Sequence, residues 1–208
     1  MSRTNLLKTI SETGISYADY KSILMQQVQN YNDESATQEE KKQIQNRKLN
    51  LQRTNRLDKY FHPSEKSIQI FQHFKIKQIW MVLSETWCGD SAQNLPIISA
   101  LANLSNYIEL KILFRDEHPE IMNLYLEGGG KRSIPKLVSF NENGDELFQW
   151  GPRPQQAKLL FDKMVSDGID KDERSKTLHL WYGRDRGLSV ENELVNLIEI
   201  FLKTIVRS

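Results

Sequence analysis

The run Gln78-Ile79-Trp80-Met81-Val82-Leu83-Ser84 constrains the fold of this chain more than any other segment. Its apolar residues do not alternate with polar ones, so a strand here needs cover on both faces, as in the sheets of α/β proteins. A turn at Cys88 follows, then a helical pattern from Ala92 to Leu104. The alternation continues beyond it. Ile108 to Phe114 reads as a strand, and Glu117 to Leu126 as a helix ending at Gly128-Gly129-Gly130. Lys136 to Phe140 and Glu146 to Trp150 read as two strands joined by Asn141-Glu142-Asn143-Gly144, a hairpin signal. Pro154 opens a last core helix that runs to about Val165. The order β-α-β-α-β-β-α, with the last two strands antiparallel, predicts an α/β domain of three layers, α/β/α, around a mixed sheet.

Helical extensions flank this core. Tyr17, Tyr20, Ile23, Leu24 and Val28 recur at helical spacing, and Asn32 to Ser35 interrupts the pattern. Glu39 to Tyr60 then resumes as a charged helix with Ile44, Leu49, Leu51 and Leu57 as sparse apolar positions. Its start, Glu39-Glu40-Lys41-Lys42, reads as a solvated face. His62-Pro63 closes the extension, and Ser64 is placed to cap a short helix through Phe74. At the other end, Lys171 to Tyr182 and Val190 to Val206 read as helices separated by Gly183 to Gly187. Leu194, Leu197, Ile198, Phe201 and Leu202 form an apolar stripe that fits packing on the core or a dimer face. The expected division is an N-terminal helical extension at 1–63, a core at 64–166 and a C-terminal helical appendage at 167–208.

Bulk properties exclude several classes of function. Lys and Arg total 28 against 27 Asp and Glu, a net charge of +1, which gives no footprint for nucleic acid or an anionic membrane surface. Cys88 is the one cysteine in 208 residues, so no internal disulfide forms and a reducing compartment is favoured. Met1 to Leu24 lacks an apolar signal core and carries Lys8, Glu12, Asp19 and Lys21. The apolar runs fall far short of the roughly 20 residues that span a bilayer. A cytoplasmic protein, monomeric or homodimeric, is the expectation. His62, His73, His118 and His179 show no ligand spacing, so neither metal nor cofactor is expected. Gly128-Gly129-Gly130-Lys131 lacks the spacing of a phosphate loop and reads as a flexible connection.

The chemistry-bearing residues lie where strand meets helix. Trp87-Cys88-Gly89-Asp90-Ser91 is followed by Pro96, then by Ile134-Pro135, Gly144 and Gly151. In order and spacing these resemble the thioredoxin family over residues 66 to 166. The likeness rests on its Trp-Cys-Gly, its helix-kinking proline eight residues after the cysteine, its Ile–cis-Pro element and its groove glycine. The wider pattern, with Arg115-Asp116-Glu117, Arg132-Ser133-Ile134-Pro135-Lys136 and Trp150-Gly151-Pro152-Arg153-Pro154, resembles bacterial proteins described only as thioredoxin family. The resemblance implies a thioredoxin-like fold and names no substrate. Three positions depart from it. Ser91 replaces the resolving cysteine, Asp90 the intervening proline, and Val82 the buried aspartate that handles protons during resolution.

What remains is a monothiol. A thiolate at Cys88 would form a mixed disulfide with a protein or low-molecular-weight thiol, which a second molecule must resolve. The helix N-terminus favours the anion, and Ser91 is placed to donate to the sulfur, while Asp90 opposes a second negative charge. A thiolate more accessible than the reference of about 8.5 is the expectation. Cys88 and Ser91 are the catalytic candidates. Trp87, Gly89, Asp90, Arg115, Ile134, Pro135, Trp150 and Gly151 are the candidates for holding a substrate, with Arg115, Arg132 and Arg153 available for an anionic or peptide ligand. The alternative is a redox-inactive binding module on the same scaffold. An exposed Cys88 beside a groove favours the enzyme, and one buried beneath an appendage favours the module.

Overall fold

The computed structural model describes residues 2–31 and 36–206. The expected interruption at Asn32 to Ser35 lies outside them. Three helices come first: α1 (Arg3–Thr13), α2 (Tyr17–Gln29) and α3 (Gln38–Tyr60), followed by the short α4 (Glu65–His73). The core then runs β1 (Gln78–Ser84), α5 (Gly89–Ala102), β2 (Ile108–Phe114), α6 (Pro119–Met122), β3 (Lys136–Phe140), β4 (Glu146–Trp150) and α7 (Gln155–Ser166). The helices α8 (Lys171–Asp185) and α9 (Leu188–Val206) complete the chain.

The sheet has the order β2-β1-β3-β4. β1 pairs parallel with β2 and antiparallel with β3, and β3 pairs antiparallel with β4. The lack of alternation in β1 has a simple cause. Trp80 and Val82 point into a core shared with α4, α5 and α9, whose contributions include Phe71, Leu95, Ile98, Leu194 and Ile198. Met81 and Leu83 point into a second core with Leu6 and Ile10 of α1 and Ile121 and Met122 of α6. Two buried faces make three layers. Where α1 gives way to α2, Ile15 bridges Ile112 on the outer side of β2, so the chain's own N-terminal segment covers part of that edge.

Caps explain most helix starts. Ser64 accepts from the Ser67 amide at the head of α4, and Thr37 with Glu40 forms a reciprocal capping box on α3. Two elements differ from the sequence reading. The helix expected over Glu117 to Leu126 is confined to Pro119–Met122, because Leu124 and Tyr125 tighten into three-residue turns on Ile121 and Met122. α8 runs through Gly183 and stops only where Arg186 turns left-handed (φ 55°), its amide bonding the Tyr182 carbonyl. α1 carries no expectation from the sequence, yet its Leu6 and Ile10 close one face of the sheet.

Candidate functional site at Cys88

The loop before Cys88 is fixed by the N-terminal helices. The Tyr20 hydroxyl of α2 donates to the Glu85 carbonyl at 2.9 Å, and Asn50 of α3 donates to the Thr86 carbonyl at 3.0 Å. The Thr86 hydroxyl donates in turn to Gln27 at 2.6 Å. Glu85 is itself buried, and its carboxylate accepts the Asp116 amide at 2.9 Å, while burial pushes its pKa above the usual glutamate range.

Cys88 is the N-cap of α5. Its Sγ accepts the Ser91 amide at 3.5 Å and donates to the Ile134 carbonyl at 3.4 Å. The residue is 8 % exposed. Burial first, and the charge of Asp90 second, push the thiol up to about 11. This corrects the expectation of an easily formed thiolate. Amide donors at the helix start favour the anion, but desolvation outweighs them. The Ser91 side chain is fully buried, and its hydroxyl and amide both favour the thiolate, against burial and Asp90. Val82, in the place of the proton-handling aspartate of the resemblance, lies in the apolar core with Trp80 and Leu137.

The Ile134–Pro135 and Gly151–Pro152 peptide bonds are both cis. Pairing of Leu137 with Trp150 brings the two loops together. Gly151 sits at φ +111°, and a Cβ there would lie 2.2 Å from the Pro135 carbonyl oxygen. Only glycine meets both demands.

Asp90 ties the site to the C-terminal helices. Its carboxylate pairs with Arg153 at 2.6 Å and accepts the Tyr182 hydroxyl of α8 at 2.9 Å. Burial raises its pKa above the aspartate range, against the pull of Arg153 and Tyr182. Asn94 of α5 donates to the Pro152 carbonyl at 3.1 Å and to Tyr182 at 3.3 Å. His179, one turn earlier on α8, lies over Gly89, where an added Cβ would meet its ring at 2.9 Å. Its surroundings, burial first and then Arg53, Arg153 and Arg56, lower its pKa to about 4. The ring is therefore neutral at pH 7.

These elements line an open cleft of about 370 Å³. It is lined by Trp87, Cys88, Gly89 and Asp90 on one side, and by Arg153, Phe161, Lys171, Arg174, Ser175, Leu178 and His179 on the other. Of the residues singled out in the sequence, the structure thus gathers Trp87, Cys88, Gly89, Asp90 and Arg153 at the cavity, with Ile134 in contact with the sulfur. Arg115 is not part of the lining. It stacks over the Trp87 ring at 4.9 Å, pairs with Asp116 and donates to the Arg132 carbonyl. Trp150 is also elsewhere, 6 % exposed, its indole N–H donating to Glu193 of α9 at 2.7 Å. Sequence reasoning passed over the α8 wall. The signal was present: Lys171, Arg174, Ser175, Leu178 and Tyr182 recur at helical spacing and so share one face.

A four-stranded mixed sheet between helical layers, with a cysteine capping the helix after β1 and an Ile–cis-Pro loop beside its sulfur, defines a thioredoxin-like fold with helical extensions. The family model described as Thioredoxin matches residues 25–165, and the chain belongs to that family. Among solved structures, a protein of unknown function from Pseudomonas aeruginosa is similar at 18% identity and a TM-score of 0.58, over 91% of this chain and 95% of the other. An HIV epitope-scaffold is similar at 19% identity and a TM-score of 0.54, over 89% and 98%. The coverage is larger than the core alone and reaches into the helical extensions. No curated protein matches. Among the described residues, no helix is long and apolar enough to cross a membrane.

Proposed function

We propose that this chain is a ligand-binding member of the thioredoxin family, in which Cys88 lies buried at the base of an open cleft and does not act as an exposed nucleophile. One observation carries the reading: the Cys88 side chain is buried in the core with Met81, Ile121, Ile134 and Val138, and its thiol is pushed up to about 11. At pH 7 a thiol with that pKa is ionised on the order of once in ten thousand molecules, and thiol–disulfide exchange needs the thiolate. The loss of a resolving thiol at Ser91 and of a buried acid at Val82 supports the same reading. A second reading keeps monothiol exchange through a mixed disulfide at Cys88. What favours it is that Cys88 lines the cavity and holds the place of the family's nucleophile, beside Ile134-Pro135.

The test is the rate of Cys88 alkylation by iodoacetamide as a function of pH, unambiguous because the chain has one cysteine. The binding reading expects slow reaction at pH 7 and a midpoint near 11. Asp90→Asn, which removes the second cause of the shift, is expected to lower that midpoint. Fast labelling at pH 7 with a midpoint below about 8.5 would overturn the binding reading and establish an activated thiol.

A further inference from the structure

The cavity over Cys88 has a chemical character that α7 and α8 supply. Arg153 stacks on the Phe161 ring at 4.0 Å, and Arg174 lies over the same ring at 5.8 Å. One guanidinium nitrogen of each is spoken for: Nη2 of Arg153 by Asp90, and Nη1 of Arg174 by the Ile169 carbonyl. The Nε–H of each is buried and, among the described residues, has no hydrogen-bond partner. Buried donors are rarely left unpaired in proteins, and each one left so is costly. Lys171 also lines the cavity, exposed, and no carboxylate among the described residues is paired to it. Asp90 is the one acidic group in the lining, and Arg153 already neutralises it. The acidic residues that start α8, Asp170, Asp172 and Glu173, do not line the cavity. Asp170 is occupied in capping the helix. His179 adds no positive charge at neutral pH, since its own surroundings are cationic.

A guanidinium edge held in place by stacking on an aromatic ring is pre-organised for an oxygen anion, because its N–H groups point in fixed directions and match carboxylate and phosphate geometry. A volume of about 370 Å³ is that of a small-molecule site rather than of a lone ion. We propose that this cavity binds a small organic oxyanion, a phosphate or carboxylate compound, held by Arg153 and Arg174 with Lys171 alongside. The proposal rests on the binding reading of the Cys88 pocket and adds the class of ligand to it.

Pyrophosphate and citrate, titrated separately into the full chain by calorimetry at constant ionic strength, are the test. The expected result is saturable binding of at least one, with sodium chloride giving none. A response to pyrophosphate alone assigns phosphate chemistry, and one to citrate alone assigns carboxylate. Arg174→Gln is expected to weaken binding at least tenfold. Lys171→Gln, at an exposed position that the fold does not need, is expected to weaken it several-fold, and it carries the test if the arginine variant does not fold. Absence of binding by both probes, or binding that neither variant weakens, would overturn the proposal. Failure here is separable from failure of the binding reading. A slowly alkylated Cys88 with no anion bound sinks only the ligand class, whereas a rapidly alkylated Cys88 sinks the reading beneath it.

Discussion

Tyr182→Phe removes one oxygen atom and tests whether α8 is fastened to the site through Asp90. The hydroxyl donates to Asp90 Oδ1 at 2.9 Å and accepts from Asn94 at 3.3 Å. Asn94 keeps its bond to the Pro152 carbonyl, so its loss is small. Asp90 keeps Arg153 but loses a donor in a buried setting. A hydrogen bond to a charged group is worth about 1.5–3 kcal/mol, against about 1 kcal/mol for a neutral one. The expected cost is therefore about 2–3 kcal/mol, which in a chain of this size lowers Tm by roughly 5–10 °C. Tyr20→Phe supplies the internal comparison, since that hydroxyl bonds only neutral groups, donating to the Glu85 carbonyl at 2.9 Å and accepting from Ser84 at 3.3 Å. Its expected cost is about 1 kcal/mol. Urea denaturation at pH 7, with the slopes of the two variants matched to the parent, gives both values. A Tyr182→Phe cost below 0.5 kcal/mol, or no larger than that of Tyr20→Phe, would refute the reasoning, because Asp90 would then not depend on α8 for its charge (thresholds set at about the resolution of the method).

Two further variants test the parts around it. His179 has its pKa lowered from 6.5 to about 4. Between those values the unfolded chain binds a proton that the folded one refuses, so this contribution is complete above about pH 6.5 and is lost as pH falls toward 4, up to about 3 kcal/mol in all. His179→Gln lacks that component, and its stability profile is expected to converge on the parent's across that window; parallel profiles would exclude the burial of a neutral ring. Gly151→Ala is expected to cost at least about 3 kcal/mol, because its Cβ would stand 2.2 Å from the Pro135 carbonyl at φ +111°. Gly128→Ala, with open space around it, is the control and is expected to be near neutral, and similar stability of the two variants would contradict the close approach.

The four strands were legible residue for residue, because each carries its own pattern. β1 is apolar throughout since α1 and α6 cover one face and α4, α5 and α9 the other. Helix ends were legible where a side chain caps them, as at Ser64, and less so where the stop is tertiary, as in α6. Gly183 misled as a break because it lies inside α8, with the Arg56 guanidinium within 3.8 Å of where a Cβ would stand. α1 escaped notice because Leu6 and Ile10 are too few to make a stripe. At the site, Cys88, Gly89, Asp90 and Trp87 were legible from local spacing. The burial of Cys88 was not, since it comes from residues distant in the chain, Leu6 and Ile10 of α1, Ile121 and Met122 of α6, and Ile134 and Val138.

Asp90 links the two halves of this account. A carboxylate two residues from the sulfur is a poor choice for an enzyme that must form a thiolate, because it disfavours the second charge. It suits a protein that must hold its C-terminal helices against this helix start. Arg153 and Tyr182 both reach Asp90, and through them the loop after β4 and the helix α8 are drawn against the N-terminus of α5. The same side chain therefore raises the thiol and anchors one wall of the cleft beside it. Ser91 and Val82 fit this arrangement, since a sulfur that is not meant to resolve a disulfide needs neither a second thiol nor a buried acid to serve it. Under the binding reading, the departures from the thioredoxin pattern at 82, 90 and 91 have one physical sense: the cysteine's place at the head of α5 is kept, and its reactivity gives way to a cleft walled by Arg153, by Phe161 of α7 and by α8.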